Sequence, residues 1–223
     1  MIRTLVSSTI ILVLFTACSI ADKDASTVVK DTIEKTLDQP SVWHGSYIVK
    51  SERGGTLLHV NYDGEHDGDE YTMSIDTQGT GFGTQVEVKR ENDEIYIKLP
   101  KSGNWQKTTP QDLNMLGLDF ANSPIELAKS LRERDLTIQT TDRQNVYKIL
   151  VKDEKKLPGT EKVVEVTGIE DVAPIDPAEI FVEVNPNNQT VRSLHMSVVY
   201  TDGSTLWYDV HLERSKGDEK DSN

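Results

Sequence analysis

The sequence predicts an α+β fold built on antiparallel strands, with one apolar and one wet face to the sheet. Three observations carry this. From Trp43 onward, apolar and polar residues alternate in a succession of short runs, the pattern of half-buried strands in a meander. Only a few segments place apolar residues at three- and four-residue spacing behind a capping signal, as helices do. The composition is lean, with 36% hydrophobic residues, 27% charged residues and a net charge of −13 over 223 residues. That suits a sheet with a solvated face better than a thick core. So acidic a chain, with no basic cluster, is a poor partner for nucleic acid, whose phosphates need Lys and Arg. A single cysteine forms no internal disulfide and no multi-cysteine zinc site. The only long apolar run is N-terminal, so the chain is not a multispan membrane protein. The roughly 200 residues after it suit one domain.

That run closes on a chemically distinctive residue. Arg3 gives a minimal positive start, and Leu5 to Phe15 is mostly apolar, too short to cross ~30 Å of hydrocarbon as a helix. It ends in Phe15-Thr16-Ala17-Cys18. Small residues before a cysteine at the end of such a run resemble a bacterial lipoprotein signal, with Phe15 where Leu is usual. The resemblance implies cleavage before Cys18 and a diacylglycerol on its thiol; two acyl chains are what stable anchoring needs. The alternative is an ordinary secretory signal cut after Ser19-Ile20-Ala21, with Cys18 discarded. The expected segments are a signal at 1–17, a lipidated tether at 18–23, a domain at 24–214 and a charged, disordered tail at 215–223.

The domain opens with a helix. Asp24 to Gln39 carries Val29, Ile33 and Leu37 on one stripe beside Val28, with Asp24 as cap and Pro40 as stop. Strands follow: Trp43, Tyr47 and Val49, turning at Gly54-Gly55; Leu58, Val60 and Tyr62, turning through the acidic Asp63–Asp69; Tyr71, Met73 and Ile75; Val86 and Val88; and, after Asn92-Asp93, Ile95, Ile97 and Leu99. Thr109-Pro110-Gln111-Asp112 and Ser123-Pro124-Ile125-Glu126 each read as a capping hydroxyl, a first-turn proline and an acid. They predict helices at 110–116 and 124–133, the second with a stripe of Leu127, Ala128 and Leu131 and with Ile125 off to the flank. Strands resume at Tyr147, Ile149 and Val151. A further strand is expected at Val163–Val166, then Ile180–Val184, and a final hairpin of Leu194–Tyr200 and Leu206–Leu212.

A three-residue loop Asp202-Gly203-Ser204 would pair Tyr200 with Leu206 and Met196 with Val210, keeping apolar residues on one face. It also sets His195 opposite His211 on the wet face, flanked by Asp209 and Glu213. Those groups are the donor types of a cation or pH-sensing site. A wet strand face carries such residues in any case, and no metal site is assigned. The Asp63–Asp69 stretch begins like a calcium loop, but the twelfth position is Ser74 and the flanks are strands. Gly79, Gly81 and Gly83 open no helix and precede no Lys-Ser/Thr, and no serine sits in a nucleophile elbow. No cofactor and no enzymatic activity are expected.

Lipobox, amphipathic helix, long meander, the stretches Ile95-Tyr96-Ile97-Lys98 and Gly103-Asn104-Trp105-Gln106-Lys107, helices near Ser123–Arg132 and closing hairpins occur here in that order. This layout resembles the LolA/LolB-like lipoprotein superfamily over most of residues 24–213. The resemblance implies a curved antiparallel half-barrel with helices over its concave face, the concavity holding acyl chains. It also implies an extracytoplasmic protein anchored to the cell membrane. The candidate lining follows from the strand and helix faces rather than from a matched motif. On the strands it is Trp43, Tyr47, Leu58, Val60, Tyr71, Met73, Ile95, Ile97, Met196, Val198, Tyr208 and Val210. On the helices it is Val29, Ile33, Leu127 and Leu131. Expected partners are the membrane through Cys18, a lipid or acyl ligand, or an envelope protein. The alternatives are an RseB-like sensor module without lipid transport, and a filled scaffold that binds no ligand.

Overall fold

The computed structural model describes residues 24–80, 82–116, 118, 120–133, 137–151, 159–176 and 178–215. The signal, Cys18, the tether and all of the tail beyond Ser215 lie outside the described residues. Within them the fold is α+β, and its sheet is open. Eleven strands pair in the order β6-β5-β4-β3-β2-β1-β11-β10-β9-β8-β7, every neighbour antiparallel. They are β1 (Ser41–Lys50), β2 (Thr56–Asp67), β3 (Glu70–Gly79), β4 (Phe82–Glu91), β5 (Glu94–Lys98), β6 (Gln106–Thr108), β7 (Thr137–Thr140), β8 (Val146–Leu150), β9 (Glu179–Val184), β10 (Val191–Val199) and β11 (Thr205–Arg214). The first and last strands pair at the centre, so the meander runs outward to β6 and the chain returns from the opposite edge.

Helix α1 (Ala25–Leu37) starts where expected, with the Asp24 carboxylate accepting from the Ser26 amide at 3.4 Å. It buries Val29, Ile33 and Leu37 together with Thr32 and Thr36. Helix α2 (Pro110–Met115) has the reciprocal cap its sequence announces: the Asp112 amide donates to Thr109 Oγ1 (3.1 Å), and the Thr109 amide donates back to Asp112 (3.2 Å). A 3₁₀ turn (Phe120–Asn122) leads into α3 (Pro124–Glu133). There the Ser123 hydroxyl is buried and bonds nothing among the described residues, so the second capping signal is not realised through its side chain. Ile125, expected on the flank of α3, is buried with Leu127, Ala128 and Leu131.

Other expectations are corrected. Val163–Val166 is not a strand but part of α4 (Thr160–Thr167), bracketed by left-handed Gly159 and Gly168, the latter donating its amide to Val164. The β-branched valines suggested a strand, but β8, β9 and β10 already have both neighbours. The helix instead lies over the sheet and buries Val163. The structure adds two short edge strands, β6 and β7, that the alternation does not predict. β2 runs on to Asp67, so the acidic stretch is mostly strand and His66 points inward. The final hairpin turns at Thr201-Asp202-Gly203, closed by Tyr200 N–H to the Ser204 carbonyl (2.9 Å). Met196 therefore faces Tyr208, and Val198 faces Leu206. The shift is even, so apolar faces are kept, but His195 now faces Asp209 while His211 faces Ser193 and His44.

The helices dock on one face of the sheet, at places where glycine lets them or their partners approach. A Cβ on Gly45 would lie 2.6 Å from Pro124 Cγ, so α3 begins directly on β1. A Cβ on Gly64 would lie 2.5 Å from the Thr72 carbonyl and 2.9 Å from the Trp43 indole, which lies over that strand.

Candidate ligand-binding site

The covered face of the sheet carries a row of aromatics. Tyr62, Tyr47 and Tyr208 lie on β2, β1 and β11, with ring centroids 6.5 and 6.4 Å apart and planes within 24°. The Tyr208 hydroxyl donates to the Asn122 carbonyl at 2.7 Å and ties the 3₁₀ turn to the sheet. The Gly159 amide donates to Asn122 Oδ1 at 2.9 Å, linking the start of α4 to the same turn.

Every expected lining residue reaches this interior. Trp43, Tyr47, Leu58, Val60, Tyr71, Met73, Ile97, Met196, Val198, Tyr208, Val210, Val29, Ile33, Leu127 and Leu131 are buried in one cluster, and Ile95 packs against it half-buried. Most are packed against protein rather than against open space. Among the described residues, the apolar cavity that α1 and α3 form with the sheet is about 20 Å³, room for one water and far below the ~300–1,000 Å³ of ligand pockets. Of the expected residues only Ile33, Trp43, Leu131 and Val210 border it. Its other walls are Thr36, Leu37, His66, Pro124, Ile125, Ala128, Val191, Leu194 and Leu212. His66 lies beyond the end that the sequence predicts for this strand; continuing the parity of Leu58, Val60 and Tyr62 to Asp67 places it inward.

The apolar walls hold a few polar groups. The Trp43 indole N–H is buried and finds no acceptor among the described residues, and the same holds for the hydroxyls of Tyr71, Thr77 and Ser123. An unmet buried donor costs about 1–3 kcal/mol. Burial, reinforced by Glu126, pushes the Tyr71 hydroxyl well above its ordinary pKa. Lys129 of α3 sits 5.7 Å from the Tyr71 ring centre.

His66, by contrast, is satisfied at both nitrogens. The Thr36 carbonyl can only accept, so Nε2 donates to it (3.1 Å), and Nδ1 accepts from the Ser41 hydroxyl (3.0 Å). Thr36 Oγ1 donates to the Thr32 carbonyl (2.6 Å) and accepts from the Val191 amide (2.7 Å). Burial holds the His66 imidazole below its ordinary pKa; Lys129 pushes the same way, while the Thr36 carbonyl and Asp67 oppose it.

The outer face is polar at the centre. His44 bonds Asp63 and His195 bonds Asp209, each at 2.6 Å. Among the described residues no three His, Cys, Asp or Glu side chains converge as a metal site. Toward β7–β10 the same face has a groove of about 650 Å³ whose walls include Leu150, Phe181 and Val199. Trp207, 40% exposed, lies on the neighbouring β11. No helix among the described residues is long and apolar enough to cross a membrane.

No protein family matches the sequence, and no curated protein matches it. Solved structures do. The chain is similar to the Mycobacterium tuberculosis lipoprotein LppX, at 11% identity over 85% of this chain and 93% of that one, with a TM-score of 0.39. It is similar to the LolA superfamily protein NE2245 from Nitrosomonas europaea, at 9% identity over 86% and 94%, with a TM-score of 0.40. It is also similar to a DUF1329 family protein from Desulfovibrio piger, at 13% identity over 87% and 95%, with a TM-score of 0.37. At these identities and scores the likeness assigns neither ligand nor activity, and both are argued below from this chain's own geometry.

Proposed function

We propose that this chain is a lipid-anchored, extracytoplasmic protein that binds a hydrophobic ligand, a lipid or acyl chain, between its sheet and helices, and that the structure is its closed form. The supporting observation is the seam itself: an apolar wall of strand and helix side chains around a small residual cavity bordered by Trp43, whose buried N–H finds no acceptor among the described residues. A cavity of about 20 Å³ admits no acyl chain, so binding requires α1 and α3 to move off β1, β10 and β11. The chain's methylenes then replace side-chain contacts at about 0.8 kcal/mol each, and a ligand oxygen accepts from Trp43. No catalytic step is involved. Cys18, acylated after removal of residues 1–17, would hold the domain at the membrane. Loss of Arg3 with residues 1–17 takes the net charge from −13 to −14, which gives no attraction to anionic headgroups, so the anchor must supply the membrane affinity.

Mass spectrometry of lipid extracted from natively purified protein tests this, with uptake of a fluorescent fatty acid by the delipidated form. The expected result is one ligand per chain and saturable uptake. Protein that carries none and takes up none is a scaffold. Cys18→Ser should abolish labelling by a fatty-acid analogue.

A second reading, a sensor that binds envelope proteins, draws on the outer groove with Leu150, Phe181 and Val199. Capture from envelope extract, lost on Phe181→Asp with the fold intact, would favour it.

A further inference from the structure

At one corner, where α1 ends and β1 begins, the internal cavity and solvent share wall residues. His66 lines both the internal cavity and an external cleft of about 460 Å³, whose walls include Pro40, Glu65, Tyr71 and Arg90. Thr36, Val191 and Leu212 likewise line both the cavity and a second external cleft of about 240 Å³. Pro40 belongs to both clefts. The last turn of α1 is thus the partition between apolar interior and solvent on two sides. What holds it are the bonds at Thr36 and Ser41: His66 to the Thr36 carbonyl, the Ser41 hydroxyl to His66, and the Val191 amide to Thr36 Oγ1.

We infer that this corner is the portal by which an acyl chain reaches the seam, and that His66 is the latch that keeps it shut. The inference rests on the ligand-binding reading for its cargo, but not for its motion.

The latch is proton-sensitive by construction. A second proton on Nδ1 removes the acceptor that the Ser41 hydroxyl uses. It also places a cation where only 4% of the residue is exposed. The groups facing His66 from each element divide. Lys129 of α3 opposes the charge; Asp67 beside it on β2 and the carbonyls of Thr36 and Leu37 on α1 favour it. β1 offers the neutral Ser41, and β3 the neutral Tyr71 paired across from it. The external cleft adds Glu65, Glu70, Lys89, Arg90 and Glu91 at its rim. Burial dominates and favours the neutral ring. The closed state therefore has its full advantage above the ordinary imidazole pKa of 6.5. It loses that advantage as pH falls below this value, because the open, hydrated imidazole takes the proton first. One proton limits the change in the open-to-closed ratio to about tenfold per pH unit.

The test uses amide hydrogen exchange at Val191, Leu37 and Asp38 between pH 8 and pH 5, corrected for intrinsic rates, alongside an NMR titration of the His66 ring. Exchange at these amides should rise on acidification, with a midpoint coincident with that of the ring. In His66→Gln, which keeps a donor and an acceptor but does not titrate, the rise should vanish. Flat wild-type exchange, a midpoint that does not follow the ring, or an unchanged rise in the variant would each overturn the latch. If the variant does not fold, the coincidence of midpoints in the wild type decides. Uptake of a fluorescent fatty acid is measured in parallel and should accelerate over the same pH range. Uptake at a pH-independent rate with a working latch overturns this corner as the portal. No uptake at any pH, with the exchange response intact, sinks the ligand reading and leaves the latch standing.

Discussion

The Trp43 ring packs over Gly64, and its buried N–H finds no acceptor among the described residues. Replacing it by Phe removes the unmet donor but leaves a larger void, two effects of opposite sign and similar size. Stability in urea should change little. Affinity for a fatty acid should fall about 2–10-fold, the worth of one net hydrogen bond. An unchanged affinity would show that Trp43 does not contact the ligand. The neighbouring glycines give a sharper contrast. In Gly64→Ala the new methyl meets a backbone carbonyl at 2.5 Å and cannot be accommodated by a side-chain rotation. In Gly45→Ala it meets the ring edge of Pro124 at 2.6 Å, and α3 can be displaced as a body. Denaturant midpoints should show Gly64→Ala as the costlier change, at about 2–3 kcal/mol. Gly45→Ala should cost less and should loosen α3.

At the scale of elements, two similar helix starts behave differently. Thr109 and Asp112 exchange bonds, so Thr109→Ala should cost about 1 kcal/mol. Ser123 bonds nothing through its hydroxyl among the described residues, so Ser123→Ala should be neutral or slightly stabilising; equal losses would refute the distinction. The sequence could not separate them, because the motif reports which residues are present and not where the preceding chain enters. The same limit explains the other gaps. Strands with long alternation were legible: Trp43–Val49, Tyr71–Ile75 and Ile180–Val184 all lie where parity puts them. β6 and β7, at three and four residues, are too short to show a period. At α4 the valines favour a strand by propensity, while the bracketing Gly159 and Gly168 mark the helix that forms. The hairpin register missed by an even step because burial parity forbids only odd ones. For the candidate site, parity found the wall, while the residues that border the remaining space depend on how α1 and α3 pack across it.

On the whole-molecule scale the open question is whether a closed seam is a site or only a core, and Leu131 separates the two. It is fully buried on α3 and borders the residual cavity. Leu131→Ala enlarges that cavity at a cost of about 2–5 kcal/mol, depending on how far the helices collapse. In a scaffold the loss is permanent, and adding fatty acid changes nothing. In a binding protein the enlarged seam lies on the ligand's path. A probe that binds only the folded chain then restores stability as RT ln(1 + [L]/Kd), about 2.7 kcal/mol at a hundred times Kd. The variant should therefore regain melting temperature in proportion to the logarithm of fatty-acid concentration. A rise in the variant larger than in the wild type would show that the wild-type seam is limited by how far α3 must move. Equal rises would place the ligand elsewhere on the molecule, with the outer groove beside Phe181 the next surface to probe. No rise in either would identify the packed interior as a core alone.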